Sequence, residues 1–377
     1  MMFKKMNKAP NIISKFFYTI LPLLFLFPIA CTEKDKKDMA SVPSKGNIGE
    51  IVVVMDSARW KSKMGDTLRS IFSSEVPGLL TSEPYFKLIY FHPDNLNNFI
   101  KTHKNLLFVT SLEDESPSGQ RQQSFFSEQT IEAINRDSSF FMFAKQNEFA
   151  RGQEILHIFG KTDQQIISNL SKNKEKIRQH FNQIELARIN KNIFKTENTD
   201  LVSKIKQEHG FTMRLPEGFA LAKSDTNFVW ATFPGKQVNM HVFVAYKPYQ
   251  STDAFNHEKI IAWRDTIGYK KMYNQKIKDS YMATQDYVEP TFKQLVFNDK
   301  FGIETRGLWK LQNNSRGGPF LSYIFVDDTS NRLYYIEGFI LGPGVEKKRE
   351  FMRQLEAILW TFRPAGAQAA VAKDVQN

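Results

Sequence analysis

Apolar residues fall in two rhythms along this chain, and the change of rhythm divides it. In the first half, short unbroken apolar runs alternate with stretches of helical spacing. Glu50-Ile-Val-Val-Val-Met-Asp56 is a β-branched run bounded by Gly49 and Asp56, the mark of a buried strand. Further strands are expected at Phe86–Phe91, Leu106–Thr110, near Phe140–Ala144 and at Ile155–Phe159. Helices are expected over Trp60–Ser73, where Leu68, Ile71 and Phe72 share a side, over Leu96–Lys101, and from Asp163 to about Asn190. The last places Ile166, Leu170, Ile177, Phe181 and Ile184 mostly at the three- and four-residue steps of one helix face. Strands alternating with helices predict an α/β first domain over residues 46–195.

From 196 to 364 the rhythm changes. Val238, Met240, Val242, Val244 and Tyr246 alternate with Asn239, His241 and Phe243, which predicts a half-buried strand. Ala254–Met272 reads as a helix. Ile303–Leu311, Phe320–Val326 and Leu333–Leu341 read as strands, the last two joined through the polar turn Asp327-Asp328-Thr329-Ser330-Asn331. A closing helix puts Phe351, Leu355, Ile358, Leu359 and Phe362 on one face. The second domain is therefore expected to be α+β, an antiparallel sheet with helices on one side. No internal repeat or low-complexity stretch interrupts either half.

The ends follow neither rhythm. Lys4, Lys5, Lys8 and Lys15 precede Phe16–Ala30, fifteen residues without a charge. A transmembrane helix needs roughly 20 apolar residues, so this stretch suits a secretory signal, residues 1–30. It ends in Pro28-Ile29-Ala30-Cys31, which holds the only cysteine of the chain. The tetrapeptide resembles a lipobox, in which a small residue precedes the cysteine that receives diacylglycerol, although Pro28 stands where leucine is usual. The implied product is a membrane-anchored chain lipidated on Cys31, with no thiol left for a disulfide, a nucleophile or a metal. Residues 32–45 read as a flexible tether and 365–377 as a disordered tail.

Composition sharpens this picture only a little. The aromatic content of 13%, with 33 phenylalanines, calls for a packed body rather than disorder. The net charge of +11 falls to +7 once four lysines leave with the signal. An exported chain meets no nucleic acid, so anionic headgroups or acidic glycans are the partners such a charge favours. A solvated basic surface without a partner is the plainer reading.

Candidate chemistry is sparse. The seven histidines show no metal-ligand spacing, and His157 and His241 fall in expected strands as packed residues. There is no nucleophile elbow, phosphate-cradling loop or dinucleotide fingerprint, so no catalytic residue, metal or cofactor is nominated. Glu337 is the most informative residue. Leu333, Tyr335, Phe339 and Leu341 share its strand face, while Tyr334, Ile336 and Ile340 line the other. A carboxylate in such a strand needs a cationic partner, for which Arg306 and Arg316 are the candidates. Such a pair is either the polar centre of a ligand pocket or a structural salt bridge. Gly317-Gly318-Pro319 allows a close approach of a loop to a backbone or a ligand, or a plain tight turn. Lys347, Lys348, Arg349 and Arg353 form a basic patch at the start of the closing helix, read as a solvated face or an anion-binding one.

Several fragments carry a family resemblance. Ser44-Lys-Gly46-Asn-Ile-Gly49-Glu50, Gly65-Asp66, Glu83-Pro84-Tyr-Phe86, Gly317-Gly318-Pro319-Phe320, Glu337-Gly338-Phe339 and Lys348-Arg349 through Glu356 together resemble a lipoprotein family of Bacteroidota. That family is defined only as domain of unknown function 4837. The resemblance implies export in a cell with an outer membrane, on its periplasmic side or surface, and carries no activity. The helix, FTMRLPEGF strand, sheet and terminal helix also loosely resemble the fold shared by the photosystem protein PsbP and the nuclear factor Mog1. The expectation is a binding module for another envelope component, protein or glycan. The alternative is an envelope hydrolase acting on peptidoglycan, glycan or peptide.

One test follows from the termini alone. Cys31→Ala should abolish metabolic labelling by an alkyne fatty acid that marks the parent chain. Equal labelling of both would sink the lipidation reading.

Overall fold

Five strands of the first half pair in the order β2-β1-β3-β5-β4. The computed structural model describes residues 42–274 and 276–364, within one compact unit that begins at Val42. The expected signal, Cys31, most of the tether and the tail lie outside the described residues. The strands are β1 (Glu50–Val54), β2 (Lys87–Phe91), β3 (Asn105–Ser111), β4 (Met142–Gln146) and β5 (Glu154–Gly160). All pairings are parallel except β4 with β5. β3 and β5 are buried along their whole length, which is why their sequences read as unbroken apolar runs.

Helices cover both faces. On one lie α1 (Ser57–Trp60) and α2 (Lys63–Phe72), with α6 (Asp163–Lys172) and α7 (Lys174–Ile193). Leu68, Phe72, Ile166, Leu170 and Phe181 pack there against Ile51, Val53, Leu107 and Ile158. On the other lie α3 (Asn98–Lys101), α4 (Pro117–Gln123) and α5 (Glu128–Arg136), over Val52, Val54, Phe108, Ile155 and Phe159. The helix expected over Trp60–Ser73 is broken, because Ser62 caps a second start by accepting from the Met64 amide at 3.2 Å. The helix from Asp163 likewise breaks at Asn173. Helix α4, PSGQRQQ, has no apolar stripe to read, and α5 shows only the short pair Ile131 and Ile134.

The second half begins with α8 (Thr199–His209), which Gly210 ends in the left-handed conformation, φ 71°. Its large sheet contains β7 (Ala220–Asp225), β8 (Phe228–Phe233), β9 (Asn239–Pro248), β10 (Met282–Thr284), β11 (Thr291–Phe297), β12 (Lys300–Leu311), β13 (Gly317–Asp327) and β14 (Arg332–Leu341). The order is β7-β8-β9-β14-β13-β12, with β10 and β11 both on the outer edge of β12. Every pairing is antiparallel. A two-stranded ribbon joins β6 (Phe211–Thr212) to β15 (Arg363–Pro364).

Helices cover both sides of this sheet rather than one. α8 and α10 (Arg349–Leu359) bury Ile205, Leu355, Ile358 and Leu359 against Val242, Leu321, Tyr323 and Ile336. α9 (His257–Lys271) buries Ile260 and Ile267 against Phe243, Ile324, Tyr335 and Phe339. This double cover makes β9 a core strand, with Phe243 1% exposed, instead of a half-buried one.

The two halves meet through α10, which packs on α7. Its N-cap residue Lys348 supplies no capping side chain. The cap comes from the first half, where Glu83 accepts from the Lys348 amide at 2.6 Å and the Arg349 amide at 3.2 Å. A carboxylate there also meets the positive end of the helix dipole. Arg349 then donates to the Pro84 carbonyl and Arg353 to the Tyr85 carbonyl, each at 2.6 Å, while Arg353 stacks over Phe86 at 4.8 Å. Gly49 gives the guanidinium groups room, since a Cβ there would stand 2.6 Å from Arg353. Glu83→Ala should therefore cost about 1–2 kcal/mol, the upper range for a cap. It should also speed hydrogen exchange in the first turn of α10. Parent-like exchange in that turn would show that Glu83 does not hold it.

Candidate functional site

The expected partners of Glu337 are wrong, and strand register explains why. Glu337 faces Ser322 across β13, and Ser322 faces Thr305 across β12. Arg306 lies one step along, in the row of Leu321 and Gly338, and so projects from the opposite face. Arg316 precedes β13, six residues from Ser322, or roughly 20 Å along an extended strand. The partner is Arg264 on α9, whose Nε and Nη2 each donate to the carboxylate at 2.8 Å. Tyr335 donates a third bond at 2.7 Å, and Phe320 stacks 3.9 Å from the guanidinium. Arg264 is 1% exposed and Glu337 0%. Burial pushes the Glu337 carboxyl above its ordinary value, with Arg264 opposing it. Arg264 sits between Ile260 and Ile267 on the buried stripe of its helix. An arginine at a stripe position was the signal available in the sequence.

Arg306 belongs to a second buried network on the other face. It donates to Glu304 at 2.7 Å and to Glu356 of α10 at 3.0 Å, and Tyr323 donates to Glu304 at 3.1 Å. Burial opposes the Arg306 charge, but these two carboxylates hold its pKa well above the ordinary value. Neither Glu337 nor Arg306 opens to a cleft. Arg349 and Arg353, expected on a solvated or anion-binding face, are committed to the junction between the halves, with Arg353 4% exposed. His157 and His241 are packed, and burial holds each near a pKa of about 4, hence neutral. Among the described residues no group of His, Cys, Asp and Glu could hold a metal.

Doubly wound sheets bind ligands beyond the strand C-termini where strand order reverses, here between β1 and β3. That crevice is filled. Gln122 donates to the Val54 carbonyl at 3.0 Å, and Gln123 donates to the Ser111 and Asp114 carbonyls, also at 3.0 Å. Arg59 closes it further, bridging Asp163 at 2.8 Å and Asp114.

A cleft of about 320 Å³ opens at the end of the large sheet, one of several openings among the described residues. Arg316, Gly317 and Gly318 line it, with Lys310, Lys348, Gln285, Tyr287 and the Gly342–Gly344 loop. Leu80, from the loop before Glu83, supplies one wall, so both halves build it. Gly318 is required by close strand approach, since a Cβ would stand 2.3 Å from the Ile340 carbonyl oxygen. Three cations line the cleft and no carboxylate or histidine does. Lys310 pairs with Asp286 outside the lining at 3.1 Å, while Arg316 is exposed and makes no ion pair among the described residues. Of the seven candidate binding residues, three therefore meet at one opening and four are structural.

Residues 198–361 match the family model for a domain of unknown function, DUF4837, and residues 44–194 match a second, DUF8532. Both models describe domains of unknown function. No curated protein matches the chain. Among solved structures, the Ran-binding protein Mog1p of Saccharomyces cerevisiae aligns at 8% identity, over 41% of this chain and 90% of that one, with a TM-score of 0.28. The protein Mll3558 of Rhizobium loti aligns at 18% identity, over 32% and 95%, with a TM-score of 0.17. Human StAR-related lipid transfer protein 5 aligns at 8% identity, over 48% and 95%, with a TM-score of 0.21. Overlaps this slight carry no argument about function.

The Glu337–Arg264 pair makes a sharp stability test. Gln at 337 would turn an amide donor toward the guanidinium. Glu337→Gln should cost about 1–3 kcal/mol, and Arg264→Met about 3–5 kcal/mol because it strands a buried carboxylate. The double variant should cost less than the sum. Additive denaturant midpoints would show that the pair is not coupled.

Proposed function

We propose that this chain is an exported lipoprotein anchored through Cys31, whose body binds an acidic glycan of the cell envelope in the basic cleft. The observation that carries the binding reading is the cleft itself: Lys310, Arg316 and Lys348 without a lining carboxylate, beside Tyr287, Gln285 and Asn314. Cations of this kind favour carboxylated or phosphorylated sugars, amides bond to hydroxyls, and an exposed tyrosine offers a face for a sugar ring. The glycine walls expose backbone rather than side chains. The anchor reading is supported by the charged leader, the uncharged run and the lone cysteine after Ala30. Among the described residues no helix is long and apolar enough to cross a membrane. The hydrolase alternative gains no support here, since the cleft lining holds no carboxylate or histidine.

Oligogalacturonate, a carboxylated glycan, serves as the probe, with neutral dextran oligosaccharide as control. Arg316→Glu combined with Lys310→Glu should weaken binding at least tenfold, about 1.4 kcal/mol, without changing the melting temperature by more than a few degrees. No binding by the parent, or equal binding by the variant, overturns the assignment. Equal cleft-dependent binding of poly-glutamate would move the partner from glycan to acidic protein.

A further inference from the structure

The tether was expected to run to residue 45, yet the chain joins the body earlier. The Arg151 amide donates to the Val42 carbonyl at 2.9 Å, the Ser44 amide to the Arg151 carbonyl at 2.9 Å, and the Lys45 amide to the Thr102 carbonyl at 2.8 Å. Val42 thus stands at the N-terminal ends of β1, β3 and β5, opposite the crevice filled by Gln122 and Gln123. The side chains around this point are distinctive. Phe99 is 71% exposed and Val42 55%, the former beneath the Lys45 ammonium at 5.4 Å. Lys101 lies 5.5 Å from the Phe149 ring. Lys45, Lys101, Lys104 and Arg151 form no ion pair among the described residues. The nearby carboxylates are already committed, Glu50 to Lys87 and Glu148 to Lys145, each at 3.3 Å.

We infer that this face, Val42, Lys45, Phe99, Lys101, Lys104 and Arg151, rests on an anionic lipid surface. The inference builds on the anchor reading, because Val42 follows Cys31 by only eleven residues. Eleven residues span at most about 38 Å, so a lipid on Cys31 holds this end near the bilayer. Unpaired cations meet anionic headgroups, and an exposed phenylalanine inserts at their level. Opposite charge and the short linker select this surface over a second protein.

The test uses residues 31–377 with Cys31→Ser, so that no acyl chain contributes. Sedimentation with phosphatidylcholine–phosphatidylglycerol vesicles at low salt should show binding that phosphatidylcholine alone does not support and that salt weakens. Lys45→Glu with Lys101→Glu should reduce it at least tenfold. Because Cys31 is the only cysteine, Phe99→Cys in the Cys31→Ser chain takes one polarity-sensitive fluorophore. Its emission should shift to the blue on anionic vesicles, while the same label at Phe301→Cys, on β12 of the other half, should not. No vesicle binding, or equal shifts at both positions, overturns the proposal. Fatty-acid labelling of the parent reads the anchor separately, so either idea can fail without the other.

Discussion

A carboxylate from one half of the molecule completes a helix belonging to the other. α10 carries the apolar stripe that covers one face of the large sheet, but its own sequence offers no cap. Glu83 fills that role, and Arg349 and Arg353 answer from the helix to the backbone of Pro84 and Tyr85. With the halves apart, the first amides of α10 would lose their carboxylate and the Pro84 and Tyr85 carbonyls their guanidinium donors. The cleft inherits the dependence, because Leu80 precedes the capping residue and Lys348 is the residue capped. Docking of the halves and shape of the cleft are thus one arrangement.

Double cover of the large sheet sets the remaining polar interior. Each buried cation lies on one face and is matched there: Arg264 with Glu337 beneath α9, Arg306 with Glu304 and Glu356 beneath α10. A one-residue slip of β12 against β13 would turn Arg306 and Glu304 to the opposite face, away from Glu356 and Tyr323. Arg306 thereby ties the register of β12 to the helix that covers it. That is a physical reason for ions in a sheet otherwise built from phenylalanine, tyrosine and isoleucine.

The fold class was legible in the apolar rhythm, since β3, β5 and β14 are covered on both faces and are mostly apolar along their length. Edge strands were not. β7, ALAKSD, alternates exposed and half-buried positions and carries a lysine and a serine, so little sets it apart from loop, while in β11, TFKQLVF, Lys293 and Gln294 interrupt the apolar pattern. Burial of Glu337 was also legible, but not its partner. Pairing across 73 residues is decided by helix placement, and Arg306 was nearer in sequence yet on the wrong face. For the opening itself, Arg316, Gly317 and Gly318 were readable as a glycine turn beside a cation. Lys310 joined them by strand pairing with Gly317, and Lys348 and Leu80 only through tertiary closure. Arg349 and Arg353 misled because a basic cluster on a helix start resembles a solvated face until its carbonyl partners are in view.

The cap on α10 spans 265 positions of chain, and that separation bears on the order of folding. Local helices form early, while contacts this distant wait until intervening segments have collapsed and loop closure has been met. Every strand of the first half's mixed sheet, and Glu83 beside it, precedes the closing helix in the chain. The large sheet, by contrast, has one face covered only in part, by α8, until residues near 349 arrive. Chaperone demand should therefore fall on the second half, and late in synthesis, because its final covering element is the last one made.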